Sequence, residues 1–261
     1  MVGKIIAGVS GWLVAGPVGA LLGVLLGHQF DRGFGSFLIP MSEGERHKIR
    51  ETFFPTLFSL LGHLAKSDGH ISQAEIALTE DMMANLGLSS ERKQEAIKFF
   101  KTGAAETFSV RLCVESFVQV SGRHVNLKNQ LLSYLISLAL ADGELHSAEE
   151  SVLRTVAIDL GFSKSNFEEL IGMIGAQAHF GDRGSSNRDH IKLSDAYSAL
   201  GVASTSSDSV IKRAYRKLVS QNHPDKLIGQ GVPDDIIKLA TERTQKIQMA
   251  YDLISESRKT K

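Results

Sequence analysis

The stretch from Val210 to Asp225 constrains the fold of this chain more than any other part of the sequence. At 100° per residue, its first ten residues place four cations on one helix face and an apolar stripe opposite them. The cations are Lys212, Arg213, Arg216 and Lys217, and the stripe holds Ile211, Ala214, Tyr215, Leu218 and Val219. Pro224 fixes its own φ, donates no N–H and favours an extended His223. The sequence therefore predicts a helix with a basic face, followed by a stiff loop.

A second long helix is predicted after this loop. Pro233 followed by Asp234 and Asp235 is typical of a helix start, because acidic residues in the first turn interact favourably with the helix dipole. Residues suited to one buried face then recur at spacings of three and four, namely Ile237, Ala240, Thr244, Ile247, Tyr251 and Ile254. A shorter helix over residues 193–200, ended by Gly201, comes before both. The short connection predicts that the two long helices pack antiparallel as a hairpin.

These elements resemble the J domain, the module of DnaJ-type co-chaperones. The resemblance covers roughly residues 192–257 and is carried by Tyr197-Ser-Ala-Leu-Gly201, Ile211-Lys-Arg-Ala-Tyr-Arg-Lys-Leu218, His223-Pro-Asp225 and Ala250-Tyr-Asp-Leu-Ile254. In that family the basic helix face docks on a DnaK-type chaperone, and the His-Pro-Asp loop triggers its ATP hydrolysis. The resemblance implies that Lys212, Arg213, Arg216 and Lys217 dock the partner, and that His223, Pro224 and Asp225 form the trigger. The chain departs from the family at Gln221 and Asn222, where a Lys and an aromatic residue are frequent.

A basic helix face has two other common explanations, a solvated surface and a nucleic-acid site. Like charges one turn apart repel by roughly a few tenths of a kcal/mol per pair, a local cost that an acidic partner surface would offset. The formal net charge is +0, with 29 basic and 29 acidic residues, so the overall charge does not indicate nucleic acid. The adjoining His-Pro-Asp motif favours an acidic protein partner, and no nucleic acid is expected.

The N-terminal segment predicts a membrane anchor. Ile5 to Leu26 is a run of 22 uncharged residues, and as a helix it spans about 33 Å, enough for a hydrocarbon core of about 30 Å. A cleaved signal peptide is disfavoured because no small-residue cleavage site follows the run, and a buried hairpin helix is the other alternative. Lys4 precedes the run, whereas Arg32, Arg46, Lys48 and Arg50 follow it. The positive-inside rule then predicts a periplasmic N-terminus and cytoplasmic C-terminal domains.

Three glycines follow one another at four-residue steps along this segment, Gly19, Gly23 and Gly27. Small residues at that spacing let two membrane helices approach closely, which predicts a homodimer formed through the transmembrane helix. The alternative is that glycine is simply frequent in membrane helices.

A duplicated segment occupies the middle of the chain. Residues 64–75 match residues 138–149 at an offset of 74 positions, both as Leu-Ala-x-x-Asp-Gly-x-(Ile/Leu)-x-x-Ala-Glu, and Leu86-Gly-Leu-Ser89 matches Leu160-Gly-Phe-Ser163. Each half reads as an apolar helix, an Asp-Gly turn and a second helix, with capping boxes expected at Ser72–Glu75 and Ser147–Glu150. Further helices are expected at residues 91–102 and 107–120.

The Asp-Gly repeat resembles the TerB domain, named from tellurite-resistance proteins. Its carboxylates are possible metal ligands, but turn formation and helix capping explain all of them, namely Asp68, Glu75, Asp142 and Glu149. An EF-hand is excluded, because Leu64 and Lys66 stand where carboxylate ligands would precede the glycine. The single cysteine, Cys113, excludes an internal disulfide and a Cys-based zinc site. No metal and no cofactor are therefore expected.

The sequence thus predicts an all-α protein with a transmembrane anchor at 1–30, a connector at 31–49, a TerB-like helical domain at 50–175, a linker at 176–190 and a J domain at 191–261. The linker composition predicts some freedom between the last two domains. This arrangement resembles the membrane-anchored DnaJ-like co-chaperones of the bacterial inner membrane. The resemblance implies a protein that is not an enzyme but recruits a cytoplasmic DnaK-type chaperone and stimulates its ATP hydrolysis. The alternative is a membrane-bound sensor or scaffold that acts through the TerB-like domain on a metal or envelope ligand, with the J domain secondary.

Overall fold

The computed structural model describes residues 41–69, 73–141, 145–178, 180 and 193–259. Within these ranges all regular secondary structure is helical, which confirms the all-α prediction. The predicted transmembrane helix lies outside the described residues, and so do Gly19, Gly23 and Gly27. Of the helices that the structure describes, none is long and apolar enough to cross a membrane.

Seven helices of the described region form the TerB-like bundle: α1 Glu43–Ala65, α2 Gln73–Leu86, α3 Ser90–Gly103, α4 Val110–Ser121, α5 Val125–Ala139, α6 Ser147–Asp159 and α7 Lys164–Ala178. Helix α1 begins within the predicted connector, because Glu43 and Glu45 place negative charge at its N-terminus. Helix α7 continues into the predicted linker, where Ala176 and Gln177 are buried.

Helix α1 lies at the centre of the bundle. Phe53 is fully buried and packs edge-on against Phe117 and Tyr134, with ring centroids 5.7 and 6.2 Å apart. Burial of each such side chain contributes about 1.5–3 kcal/mol. The aromatic cluster therefore fixes α1 against α4 and α5.

Two glycines allow α1 and α3 to cross in close contact. A Cβ atom on Gly103 would overlap the backbone carbonyl of Ser59, and one on Gly62 would overlap the carbonyl of Phe100. Because both neighbours are backbone atoms, a larger residue could be accommodated only by moving the helices apart.

The internal repeat is visible in the backbone at the ends of α2 and α6. Gly87 and Gly161 both have positive φ, 72° and 91°. The serine two residues later in each repeat, Ser89 or Ser163, accepts a hydrogen bond from a backbone N–H, at 3.3 and 3.2 Å. Equivalent residues therefore end one helix and cap the next in both halves, which confirms the duplicated helical bundle.

The capping box predicted at Ser147 and Glu150 is displaced by one residue. Helix α6 begins at Ser147, so its N-cap is His146, whose N–H donates to the Glu149 carboxylate at 3.0 Å. Glu150 pairs instead with Arg154 one turn further along the helix. The other predicted box involves Ser72, which lies outside the described residues.

Four further helices form the J domain: α8 Leu193–Ala199, α9 Asp208–Gln221, α10 Pro224–Gly229 and α11 Asp234–Lys259. Helices α9 and α11 form the expected antiparallel pair, since Asp208 at the start of α9 meets Arg258 near the end of α11 at 2.6 Å. The short helix α10 was not predicted. It forms because Pro224 suits the first position of a helix and Asp225 supplies negative charge to its first turn.

The buried stripe of α11 is rotated from the predicted one. Ala240, Ile247 and Ile254 are buried as expected, whereas the other three predicted positions, Ile237, Thr244 and Tyr251, are only half-buried. The residues one position earlier are buried instead, namely Ile236, Arg243 and Ala250. The rotation arises because α11 packs against bundle helices as well as against α8 and α9.

The J domain packs against the bundle, although we expected some freedom between them. Residues Glu43–Lys261 form one compact unit. Ala176 and Phe180, which precede the J domain, share a core cluster with Ala196 and Ile247 of the J domain. The two domains therefore have a common apolar core, and the end of α7 belongs to it.

Candidate functional site

The His-Pro-Asp motif lies at an exposed turn between α9 and α10. His223 is extended, with φ −65° and ψ 126°, and its Nδ1 atom accepts a hydrogen bond from the Asp225 N–H at 3.2 Å. Pro224 is the first residue of α10. The side chains of His223 and Asp225 are 52% and 89% exposed. The motif thus has a defined backbone conformation and presents both polar side chains to solvent.

The four cations of α9, which we call the basic face, point into solvent. Lys212, Arg213, Arg216 and Lys217 are all exposed, whereas Ile211 and Leu218 on the opposite side are buried. Within the described part of the chain, none of the four forms an ion pair with a carboxylate. The basic face is therefore free to meet an acidic surface.

Contacts behind α9 hold the helix in place. Tyr215 stacks on Tyr251 of α11, with ring centroids 4.2 Å apart and planes 17° apart, and its hydroxyl donates to Gln248. Arg258 donates to the hydroxyl of Tyr197 at 2.9 Å as well as to Asp208. These contacts fix the basic face relative to the two neighbouring helices.

The two residues before His223 contact the bundle directly. Gln130 Nε2 donates to the carbonyl oxygen of Gln221 at 3.0 Å and to Oδ1 of Asn222 at 3.3 Å. Asn126 Nδ2 donates to the same carbonyl at 3.3 Å and to Oε1 of Gln230 at 2.8 Å. Neither Asn126 nor Gln130 was predicted as a site residue, because their only signal in the sequence is a pair of amides four residues apart on one helix face.

A buried polar contact joins the two domains further along α11. Arg243 is 8% exposed, and its Nε donates to Oε1 of Gln177 at 3.0 Å. Gln177 Nε2 in turn donates to the carbonyl of Ala199 at 2.8 Å. Burial lowers the pKa of Arg243 to about 10. The guanidinium thus depends on Gln177, since no carboxylate among the described residues pairs with it.

The loop after α10 also approaches the bundle closely. Gly231 has φ 83°, and a Cβ atom there would lie 2.5 Å from the backbone oxygen of Arg46 in α1. Arg92 of α3 pairs with Asp235 of α11 at 3.0 Å. The bundle therefore contacts the J domain on both sides of the exposed turn.

The repeat carboxylates show no metal site in the described part of the chain. Asp142 and the side chain of Glu75 are outside the described residues, and Glu149 caps α6. Among the residues that are described, no group of three or more His, Cys, Asp or Glu side chains is placed to hold a metal ion.

Family models match three successive segments of the chain. The co-chaperone DjlA transmembrane domain matches residues 1–41, the tellurite resistance protein TerB matches residues 55–171, and the DnaJ domain matches residues 195–261. These matches confirm the TerB and J-domain resemblances. They also indicate a membrane anchor at the N-terminus.

Curated relatives match along nearly the whole chain. The co-chaperone protein DjlA of Vibrio cholerae is 36% identical to it, over 98% of both sequences. The protein of the same name from Photobacterium profundum is 33% identical over 99% of both, and that from Escherichia coli is 34% identical over 98% of this chain and 97% of the relative. No solved structure matches the chain significantly. At this identity over nearly the full length, the chain belongs to the DjlA family of co-chaperone proteins.

Proposed function

We propose that this membrane-anchored co-chaperone recruits a cytoplasmic DnaK-type chaperone and stimulates its ATP hydrolysis through His223, Pro224 and Asp225. The observation that carries the proposal is the juxtaposition of an unpaired basic face on α9 with the exposed His-Pro-Asp turn that directly follows this helix. Hydrolysis takes place in the partner, so the chain itself is not an enzyme.

In this proposal the basic face of α9 is the surface that docks on the DnaK-type chaperone. Exposed charges of one sign steer an oppositely charged partner and raise its association rate, and salt screens the effect. Helix α9 is already held by Tyr251 and Arg258. Docking therefore requires little reordering of the chain, which favours affinity.

The docking role is tested by charge reversal in the full-length chain in detergent micelles. We expect Arg216→Glu to raise the concentration that half-saturates stimulation of a DnaK ATPase by about tenfold, as for loss of roughly 1.4 kcal/mol at a charged interface. Lys98→Glu is the matched control, since Lys98 is an exposed cation on the bundle helix α3. Equal effects of the two variants would contradict docking through the basic face.

We also propose that the N-terminus is periplasmic and that the chain dimerises through Gly19, Gly23 and Gly27. The glycine spacing and the distribution of flanking cations support this arrangement. In spheroplasts, a membrane-impermeant thiol reagent should label Val2→Cys from outside. Gly23→Leu should abolish crosslinking between copies in lipid vesicles, whereas Val24→Leu should not. Labelling only after lysis would refute the periplasmic N-terminus. Unchanged crosslinking in Gly23→Leu would refute dimerisation through the three glycines.

A further inference from the structure

We propose that Asn126 and Gln130 are positioning residues for the His-Pro-Asp turn, so that the TerB-like bundle sets how strongly the J domain triggers its partner. We call their hydrogen bonds to Gln221, Asn222 and Gln230 the clasp. The inference rests on the proposed function and assigns the bundle a direct part in it.

The clasp acts at the end of the helix that carries the basic face. The last carbonyl groups of a helix have no partner within that helix. The carbonyl of Gln221, the final residue of α9, receives hydrogen bonds from both Gln130 and Asn126. Two side chains of the bundle therefore cap α9 immediately before His223.

The residue next to the trigger is also held by its side chain. Asn222 is 2% exposed, accepts from Gln130 through Oδ1 and donates through Nδ2 to the carbonyl of Leu218 at 2.8 Å. An aromatic ring at this position would offer Gln130 no acceptor. The departure from the J-domain pattern at position 222 thus has a physical reason within this chain.

The bundle holds the far side of the turn as well. Asn126 donates to Gln230, the C-cap of α10, and Gly231 lies close to the backbone of Arg46. Leu227, three residues before Gln230 in α10, is fully buried. The segment is therefore anchored at both ends, and the exposed turn projects from a fixed base.

A trigger that is ordered before docking keeps its angle to the basic face, so more encounters reach the productive arrangement. Loss of the clasp would let the turn adopt other conformations and leave the cations of α9 in place. The expected effect is a lower maximal stimulation with an unchanged half-saturating concentration. A general loss of folding would change both quantities.

The test compares full-length variants in detergent micelles, with ATP hydrolysis by a DnaK-type chaperone as the readout. We expect Gln130→Met to lower maximal stimulation about fivefold, the factor that corresponds to one net hydrogen bond. The matched control is Asn129→Ala. Asn129 lines the same cleft beside α9 but makes no side-chain hydrogen bond among the described residues, and its replacement should leave stimulation unchanged.

Amide hydrogen exchange supplies a readout that is independent of the partner. Exchange at the backbone amides of Asn222, His223, Asp225 and Lys226 should accelerate in Gln130→Met, while exchange in the core of α1 stays as in the wild type. If Gln130→Met fails to fold, Gln130→Ala removes the donor and leaves room for water from the adjoining cleft to reach the freed acceptors, and the same result is expected.

The outcomes separate this inference from the proposed function. If the Gln130 variants stimulate ATP hydrolysis as strongly as the wild type, the role of the clasp is refuted and the proposed function still stands. The same conclusion follows if they stimulate hydrolysis more strongly, since the bundle would then restrain the trigger. An increase in the half-saturating concentration with unchanged maximal stimulation also overturns the role of the clasp. Absence of stimulation by the wild-type chain overturns the proposed function, and the clasp with it.

Discussion

Replacement of Gln177 by methionine tests whether the bundle and the J domain depend on one buried polar contact. Gln177 is 2% exposed and makes two hydrogen bonds, one from the Arg243 guanidinium and one to the carbonyl of Ala199. Methionine has a similar size but offers neither group. The variant therefore leaves a buried cation and a carbonyl without their shared partner.

The expected cost follows from these two hydrogen bonds. A hydrogen bond to a charged group contributes about 1.5–3 kcal/mol, and one between neutral groups about 1 kcal/mol. We expect Gln177→Met to reduce the free energy of unfolding by about 3 kcal/mol. Gln177→Glu should cost less, because its carboxylate can accept from Arg243 and neutralise the buried charge.

The assay is urea denaturation of a fragment comprising Glu43–Lys261, followed by far-ultraviolet circular dichroism. Gln119→Met serves as the control, since Gln119 is exposed on α4 and the same change there should cost less than about 0.5 kcal/mol. A Gln177→Met variant as stable as this control would refute the reasoning. So would a Gln177→Glu variant less stable than Gln177→Met at neutral pH.

Three other predictions concern the bundle. Gly103→Ala should lower the free energy of unfolding by about 2 kcal/mol, because the added Cβ would overlap the backbone of Ser59. Thermal denaturation measures the effect, and an unchanged melting temperature would refute the close crossing of α1 and α3. Burial raises the pKa of Cys113 to about 11, so its alkylation at pH 8 should be about two orders of magnitude slower than that of an exposed cysteine and should rise with pH. Burial, reinforced by the charge of Lys66, lowers the pKa of His63, although the imidazole also donates a hydrogen bond to the backbone of Gly103, which acts in the opposite direction. The unfolded chain then binds the proton more readily, so stability should fall as the pH drops below 6.5 through the folded pKa, and His63→Gln should weaken this dependence.

Much of the architecture follows from local sequence signals. The apolar and basic sides of α9, the extended His223 and the start of α11 are set by residues within a few positions of one another. The glycine and serine at the end of each repeat likewise act on neighbouring backbone groups. Such features can be predicted because helical periodicity and capping are local.

The relation between the two domains was not predictable in the same way. Gln130 and Gln221 are separated by 91 residues, and Gln177 and Arg243 by 66. Amide and guanidinium groups at such separations have no periodic signal. Arg243 also occupies a buried stripe that the sequence pattern assigned to the neighbouring Thr244, so the rotation of α11 depends on tertiary packing.

The short helix α10 shows a different limit. Pro224 was correctly predicted to end the preceding helix, but it also begins a new one, because a proline is well suited to the first helical position. The sequence pattern placed the His-Pro-Asp motif in a stiff loop. The structure places the motif at the start of α10, a helix whose far end is fixed by the bundle.

Single-turnover ATP hydrolysis by a DnaK-type chaperone tests the central claim most directly. The full-length chain in detergent micelles would be compared with its His223→Gln variant, in which the exposed imidazole is lost and the basic face is unchanged. We expect strong acceleration by the wild-type chain and none by the variant at any concentration. Equal acceleration by both proteins, or by neither, would contradict it.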